Sequence, residues 1–512
     1  MRNHVQLIAY ADRLGGSLAG LQGLLDTDLK GVFNGVHILP FFTPFDGVDA
    51  GFDPVDHTEV DARLGSWDDV RALANTHDVV VDVIVNHVSA DSAQFRDVVA
   101  HGRDSRWFEM FLTMDKVFPD GARESDLLGV YRPRPGLPLI QMTLGDEPHL
   151  VWTTFTPQQI DVDVRSELTR DYLRSILDAL AAAGVTMIRM DAVGYAVKTP
   201  GTTSFMTPET FAFIEELRVE AAERGMQTLV EVHSYYKRQV EIAALVDCVY
   251  DFALPPLVLH AAHSGDHEPL LRWLEVRPTN AVTVLDTHDG IGIVDVGSDP
   301  DTGEAGLLDD QQLDALVESI HDATGGTSRL ATGAAASNLD LYQVNSTFFD
   351  ALGSDDRRYL AARAVQYFTP GVPQVYYVGA FAGGNDTDLL EQSGVGRDIN
   401  RHRYTPEDLQ ANLTRPVVAA GFELARFRNT FDVFNGSFTA ARNAETNGLI
   451  LSWTDGPRSA ALTVDLQSGD VTLAWSDGEQ TGRVDDLLTA GAWSLRGAGA
   501  AARVARHPRS GV

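Results

Sequence analysis

Eight short runs of aliphatic and β-branched residues recur along the chain, each followed by a polar segment and, in most cases, by apolar residues at helical spacing. They are VQLIAY from Val5, GVHILP from Gly35, VVVDVIVNH from Val79, MIRMDAVGY from Met187, TLVEVHSY from Thr228, CVYDFALP from Cys248, AVTVLDTHD from Ala281 and GVPQVYYVGA from Gly371. Near-continuous apolar runs with intervening helices predict a parallel sheet buried on both faces. Eight strands of this kind fit an α/β fold of the (β/α)8 TIM-barrel type better than an open sheet. The helices can be read individually. Leu168, Tyr172, Leu173, Ile176, Leu177 and Leu180 share one helical face, with Ser166 as N-cap and Gly184 as C-cap. Pro208 to Gly225 predicts a second helix with Phe211, Ile214, Leu217 and Val219 inward, and Arg358 to Pro370 predicts a third before the last strand.

Two long stretches break the alternation. Residues 88–165 are rich in Pro, Gly and aromatics and contain YRPRPGLP from Tyr131; residues 291–354 form the second. Both follow a strand C-terminus, where barrel enzymes build their active sites, and loops of this length usually carry function. The expected organisation is therefore a barrel in three pieces (1–87, 166–290 and 355–434) with two long inserted subdomains at 88–165 and 291–354. Residues 435–496 turn to short alternating strands (GLILSWTD, AALTVDL, VTLAWSD) and predict a C-terminal antiparallel β domain. Residues 497–512 are biased to Ala, Gly and Arg and predict a disordered tail.

Charge narrows the partners. Among 512 residues, 40 Lys+Arg against 72 Asp+Glu give a net charge of −32. Such a field repels nucleic acid phosphates and anionic membrane surfaces, so neither is an expected partner. An anionic substrate would need a local cluster of Arg or His to hold it. The single cysteine, Cys248, excludes intrachain disulfides and multi-cysteine metal sites, and its apolar setting predicts a buried inert thiol. The N-terminus has no long apolar stretch after its basic start, and no segment reaches the roughly 20 apolar residues that span a bilayer. A cytoplasmic protein is the expectation.

Candidate chemistry sits at the strand ends, because barrel strands themselves need only Val, Ile and Leu. Four ends are loaded with polar groups: Asn86-His87, Arg189-Met190-Asp191, Glu231-Val232-His233 and Asp286-Thr287-His288-Asp289. Asp191, Glu231 and Asp289 would converge at the barrel mouth. Convergent carboxylates suit glycosyl transfer: one attacks the anomeric carbon while a second, kept protonated by its neighbours, gives its proton to the departing oxygen. A retaining pair of this kind stands about 5–5.5 Å apart. Arg189, two residues before Asp191, faces the same way and would keep Asp191 ionised. Strand-end Asp residues can also merely cap the following helices; three together, with Arg and His at equivalent ends, favour the catalytic reading.

With those motifs in order, the chain resembles the α-amylase superfamily (glycoside hydrolase family 13) across residues about 1–495, through VDVIVNH, MIRMDAVGY, EVHSY and VLDTHD. The resemblance implies Asp191 as nucleophile, Glu231 as general acid/base, and Asp289 as the carboxylate that grips sugar hydroxyls. It implies His87, Arg189 and His288 as substrate-binding partners. Within the superfamily the chain is similar to the sucrose phosphorylases, through HILPFFTPFDGVDAGFDP from His37, YRPRPGLP, FTPQQ from Phe155, EVHSYYK, ASNLDLYQVN from Ala336 and GRDINRH from Gly396. That similarity implies Asp49 and Arg397 on the glucosyl hydroxyls and Phe52, Phe155 and Tyr195 on the sugar face. On the acceptor side it implies Tyr131, Pro133, Arg134, His233, Leu339, Asp340, Leu341, Tyr342 and Gln343. Arg134, Tyr342 and His233 would supply the donors that phosphate needs inside an acidic protein.

The function so implied is reversible phosphorolysis of sucrose to glucose 1-phosphate and fructose through a covalent glucosyl-enzyme, with transfer to other acceptors. No cofactor is implied. The acidic segment DPDTGEAGLLDD from Asp299 lacks the regular ligand spacing of a calcium loop, so no metal is expected. The resemblance suggests a homodimer. Alternatives are a phosphorylase of sucrose 6′-phosphate or glucosylglycerate, a plain α-glucoside hydrolase, and a non-catalytic barrel; the three intact carboxylates speak against the last.

Overall fold

The computed structural model describes residues 2–132, 136–299, 302–332 and 343–488. The eight apolar runs form eight strands: β1 (Gln6–Ala9), β2 (Gly35–Ile38), β3 (Asp78–Ile84), β4 (Met187–Asp191), β5 (Gln227–Val230), β6 (Cys248–Asp251), β7 (Ala281–Thr283) and β8 (Val372–Tyr376). They pair in parallel around a closed barrel in chain order, β8 returning to β1. Full burial explains their composition. Every residue of β1, β2 and β4 is buried, as are the last six of β3, so Val, Ile and Leu face the interior and the helical layer alike.

The helix Glu167–Ala182 buries Leu173, Ile176, Leu177 and Leu180. Gly184 follows with φ 80, a left-handed conformation that glycine enters without a Cβ penalty. Ser166 sits at the N-cap position in extended geometry, but its side chain makes no capping bond there. The second helix, Pro208–Glu223, corrects one expectation. Its buried stripe is Thr210, Phe213, Ile214, Leu217 and Ala221, whereas Val219 is 42% exposed. Val219 lies two residues past Leu217, which places it on the far side of a 3.6-residue turn, and Phe213 takes the deep position that Phe211 only half fills. The third helix is Asp356–Phe368.

Between β3 and β4 the chain pairs His87–Ser89 with Gln159–Asp161 and folds a hairpin from Leu139–Leu144 and Glu147–Trp152. A small core of Leu112, Val117, Phe118, Val130 and Trp152 holds this stretch together. After β7, Ile291–Gly292 pairs antiparallel with Gln343–Val344. Beyond the barrel, β9 (Ser437–Arg442), β10 (Leu449–Asp455), β11 (Arg458–Asp465), β12 (Asp470–Ser476) and β13 (Thr481–Val484) make the antiparallel C-terminal sheet. It is tied to the barrel where Trp453 Nε1 donates to the Phe368 carbonyl at 2.7 Å. The predicted tail at 497–512 lies outside the described residues. Among the described residues no helix is long and apolar enough to cross a membrane. Cys248 opens β6 half-buried, and burial, with Asp247 beside it, pushes its thiol up to about 11.

The seam that orients the later site residues is the short pairing of β7 with β8, which spans only Val282↔Val372 and Thr283↔Pro373. The helix Asp356–Phe368 reinforces it from outside. Gln366 Nε2 donates to the Thr283 and Gln374 carbonyls, both at 2.8 Å, and Arg363 Nη2 binds both oxygens of Asp286 at 2.8 and 2.6 Å. Arg363→Met would leave the buried Asp286 carboxylate without its cation. The expected loss is about 3–5 kcal/mol, read as a lower denaturation midpoint. Adding Asp286→Asn should restore a large part of it; a single variant as stable as the parent would contradict this account.

Candidate active site

The strand C-termini open into one cavity with about 800 Å³ of empty space including its mouth. Asp191 ends β4 and points into it; Glu231 and His233 follow β5, and His288 and Asp289 follow β7. His87, from the segment after β3, and Asp49 and Phe52, from the segment after β2, line the other side. Tyr131, Phe155, Tyr195, Gln343 and Arg397 complete the set of sequence-predicted residues found in its wall. Pro133, Arg134, Leu339, Asp340, Leu341 and Tyr342 lie outside the described residues.

Arg189 is different: it is 2% exposed and sits beneath the cavity, not in its wall. Side chains alternate across a strand, so Arg189 and Asp191 share the barrel's inner side. Its Nη1 lies 2.5 Å from Asp82 Oδ1 and 2.8 Å from Asp191 Oδ1, and its Nη2 lies 3.0 Å from Glu231 Oε1. One guanidinium therefore carries three carboxylates. Asp82 is fully buried, directly opposite Arg189 in the β3–β4 register, and also bonds His37 Nε2 at 2.9 Å. Sequence reasoning passed over Asp82, although an acid inside the run VVVDVIV is the kind of break that marks a partner for an inward-facing cation. Past Asp191 the chain turns sharply. Ala192 adopts φ 53, a conformation costly for a residue with a Cβ, and its N–H donates to Glu231 Oε2 at 3.3 Å.

These contacts set the protonation states. Burial is the largest influence on Asp191 and pushes its carboxyl up; Arg189 pulls it back, Glu231, Asp82 and Asp289 repel it, and it ends well above the usual carboxylate range. Arg189 alone thus does not hold Asp191 ionised, because its charge is divided three ways. Asp289 goes the opposite way. Burial raises it, but Arg397 Nη1 at 2.8 Å, with His288, Arg189 and Arg401 nearby, holds it far below its ordinary value. His288 stacks flat on Phe52 (4.7 Å between ring centroids, 8° apart), and burial drives it down to about 3, so it is a neutral imidazole. Burial also lowers His87, whose Nε2 donates to the Phe52 carbonyl at 2.9 Å.

The aromatic wall is continuous. Phe155 meets His87 and Tyr195 edge-on at 5.4 and 5.2 Å, Tyr195 packs on Phe205 at 4.7 Å, and Tyr131 stacks on Phe205 at 4.5 Å. Phe205 and Gln159 also line the cavity and were not foreseen; Phe205 lies in a loop, and Gln159 opens the three-residue strand Gln159–Asp161, too short for a periodic pattern to single it out. Two buried cations brace this shell. Lys198 Nζ binds Asp161 at 2.7 Å and Asn86 Oδ1 at 2.8 Å, and Arg401 Nε donates to the His288 carbonyl at 3.1 Å. Among the described residues no three His, Cys, Asp or Glu side chains group to hold a metal ion. Two acids held by one guanidinium, a third acid kept ionised and flat apolar faces are together equipped to break and remake a bond at a sugar's anomeric carbon.

Comparison with known proteins identifies the family to which the chain belongs. Residues 10–251 match the family described as alpha amylase, catalytic domain. The chain is 56% identical over 498 residues to a sucrose phosphorylase of Bifidobacterium adolescentis, covering 95% of this chain and 99% of that one. It is 56% identical over 481 residues to a sucrose phosphorylase of Agrobacterium vitis, covering 93% and 98%. Among solved structures, a sucrose 6F-phosphate phosphorylase from Thermoanaerobacter thermosaccharolyticum superposes with a TM-score of 0.87 at 35% identity, covering 94% of this chain and 98% of that one.

The raised affinity of Asp191 for its proton has a consequence for stability. A carboxyl whose folded value lies above its unfolded value stabilises the fold at low pH and loses that contribution as pH rises from about 4 through the folded value. Asp191→Asn, with no charge to bury, should therefore melt several degrees above the parent at pH 7–8, and the gap should shrink toward pH 4. Calorimetry across that range checks it; a variant less stable than the parent at neutral pH would contradict the charge balance described.

Proposed function

We propose, from the premise that this chain belongs to the α-amylase family and lies among its sucrose phosphorylases, that it catalyses reversible phosphorolysis of sucrose to α-D-glucose 1-phosphate and D-fructose with retention of configuration. The observation that supports this most directly is the single guanidinium of Arg189 bridging Asp191 and Glu231 at the floor of a sugar-sized cavity. It holds both acids within reach of the bound sugar's reacting carbon, Asp191 on the face opposite the leaving group and Glu231 on the leaving-group side. In the first half-reaction Asp191 attacks the anomeric carbon, the glycosidic C–O bond breaks, and Glu231 gives its proton to the fructose oxygen. A glucosyl ester of Asp191 and an ionised Glu231 result. In the second, phosphate attacks the same carbon, the ester bond breaks, and Glu231 takes the proton from the incoming phosphate hydroxyl.

The supporting residues follow the same logic. Asp289, kept ionised by Arg397, accepts from the glucosyl hydroxyls and strengthens as positive charge grows on the ring. Asp49 and Arg397 take the hydroxyls at the far edge of the sugar, neutral His87 and His288 donate or accept without adding charge, and Phe52, Phe155 and Tyr195 cover the apolar sugar face. Arg189 positions the two acids from below. Tyr131, Gln343 and His233 serve the acceptor, together with Pro133, Arg134, Leu339, Asp340, Leu341 and Tyr342 as the resemblance implies. The inserted stretches 88–165 and 291–354 supply that acceptor side. The reading includes a cytoplasmic homodimer that needs no cofactor.

Incubation with sucrose, with and without phosphate, decides the reaction. Glucose 1-phosphate should dominate with phosphate present, and free glucose released equally in both arms would instead identify a hydrolase. Preference for sucrose 6′-phosphate over sucrose would move the chain to the other phosphorylase class. Asp191→Ala should lower kcat at least about 10⁴-fold with the fold intact by circular dichroism, since the nucleophile is lost. Arg134→Ala should raise the KM for phosphate more than it slows sucrose cleavage; equal losses would remove its acceptor role.

A further inference from the structure

His233 follows β5 two residues after Glu231 and lines the same cavity. Its back is built with unusual care. Nδ1 lies 3.0 Å from Asp295 Oδ2, and the ring stacks on Phe252 with centroids 3.9 Å apart and planes 15° apart. Asp295 belongs to the short turn Val294–Val296 and is fully buried. Its other oxygen accepts the Ser234 N–H at 3.1 Å and Gln239 Nε2 at 2.9 Å, so the carboxylate is fixed by three donors on three residues. Gly292 makes room for the pair. A Cβ there would stand 2.6 Å from Asp295 Oδ2 and 3.1 Å from His233 Nδ1. The same Gly292 pairs with Gln343, another wall residue, so the dyad is tied to the strand Gln343–Val344 within the second inserted stretch.

A buried carboxylate on one ring nitrogen fixes the tautomer and orientation of a histidine and favours its charged form. With Nδ1 committed to Asp295, Nε2 is the nitrogen through which His233 acts on the cavity. We propose that Asp295 is a positioning residue for the acceptor step, holding His233 as an imidazolium so that an incoming phosphate dianion meets a fixed cation inside an otherwise acidic site. This rests on the phosphorolytic reading above and adds a residue to it that the sequence did not single out.

The surroundings agree from every side. Facing His233 are Asp295 from its turn, Glu231 from its own strand and Asp289 from the segment after β7, all of which favour the cation; burial opposes them and loses, leaving His233 above its ordinary value. Phe252 and, behind it, Tyr250 contribute neutral rings from the neighbouring strand. On the adjoining helix, Gln239 is neutral and Lys237 is paired to Glu304 at 2.6 Å. Arg397 is engaged by Asp289. His87 and His288, by contrast, are pushed toward the neutral form, so among the described histidines of this cavity only His233 is pushed toward its cation.

The test uses α-D-glucosyl fluoride as donor, whose small leaving group removes the fructose contacts from the first step, and measures how the glucosyl-enzyme partitions between phosphate and water. Asp295→Asn keeps the side chain's shape but removes the carboxylate charge that favours the protonated ring, leaving the imidazole to lose its proton as pH rises. The phosphate concentration that captures half of the intermediate should rise about 10- to 100-fold, because a hydrogen bond to a charged partner is lost. Release of glucose without phosphate should change less than about threefold. The variant-to-parent ratio of that half-capture concentration should grow from pH 6 to pH 8, as the uncoupled imidazole loses its proton; phosphate's own ionisation cancels in the ratio. A half-capture concentration within twofold of the parent, or a ratio flat with pH, overturns the assignment. Should Asp295→Asn fail to fold, ¹⁵N-histidine spectra of the parent decide it, with the His233 signal assigned by its loss in His233→Gln. Both ring nitrogens protonated at pH 7.5 support the role, and a neutral ring at that pH overturns it. A parent enzyme that forms no glucose 1-phosphate from sucrose and phosphate would instead sink the phosphorolytic reading itself.

Discussion

A single buried cation, Arg189, is the constraint on which the rest of the site depends. Like charges a few ångströms apart in a low-dielectric interior repel by several kcal/mol, and Asp82, Asp191 and Glu231 cannot all be ionised there without compensation. A planar guanidinium with donors on two terminal nitrogens can meet three carboxylates at once, where a lysine ammonium would present one point of charge. One positive charge does not cancel three negative ones, however. The shortfall shows at Asp191, where burial and the neighbouring carboxylates outweigh its share of the guanidinium and hold its proton more tightly than in a free carboxyl.

The barrel makes this arrangement available cheaply. Parallel strands place equivalent residues at one height, so Arg189 falls opposite Asp82 in one neighbour and beside the end of β5 in the other. The seam between β7 and β8 has only two register pairs, and a glutamine and an arginine from one helix brace it. Asp289 lies three residues beyond the braced Asp286, so the position of the third acid depends on packing outside the barrel as well as on the strand itself.

Much of this was legible in the sequence because it obeys short periods. The eight strands, the three helices and the polar strand ends follow from hydrophobic pattern, and pattern alone brought Asp191, Glu231 and Asp289 together. What escaped had other causes. Val219 was misplaced because a residue two positions from a core position was counted as inward. Phe205 stands on a loop and Gln159 on a three-residue strand, where nothing periodic marks the wall of a cavity. Asp82 and Asp295 act through partners far away in sequence, at separations of 107 and 62 residues from Arg189 and His233. Such a pairing becomes visible only when the strand register or a close-packed glycine brings the two segments into contact.

The histidines of the cavity carry the last step. His87, His233 and His288 all follow barrel strands; His87 and His288 are buried and His233 is largely covered, which by itself drives each toward the neutral form. What separates them is the partner behind the ring. His288 lies against Phe52 within the field of Arg189 and Arg401, and His87 bonds a backbone carbonyl; neither arrangement stabilises a proton enough to outweigh burial. His233 has behind it the Asp295 carboxylate, which has no solvent exposure and accepts from neutral donors on its other oxygen. A neutral sugar at one end of the cavity and an anionic acceptor at the other call for this difference. The chain meets it by placing one acid behind one ring, so a protein with a net charge of −32 can gather positive charge at a single point.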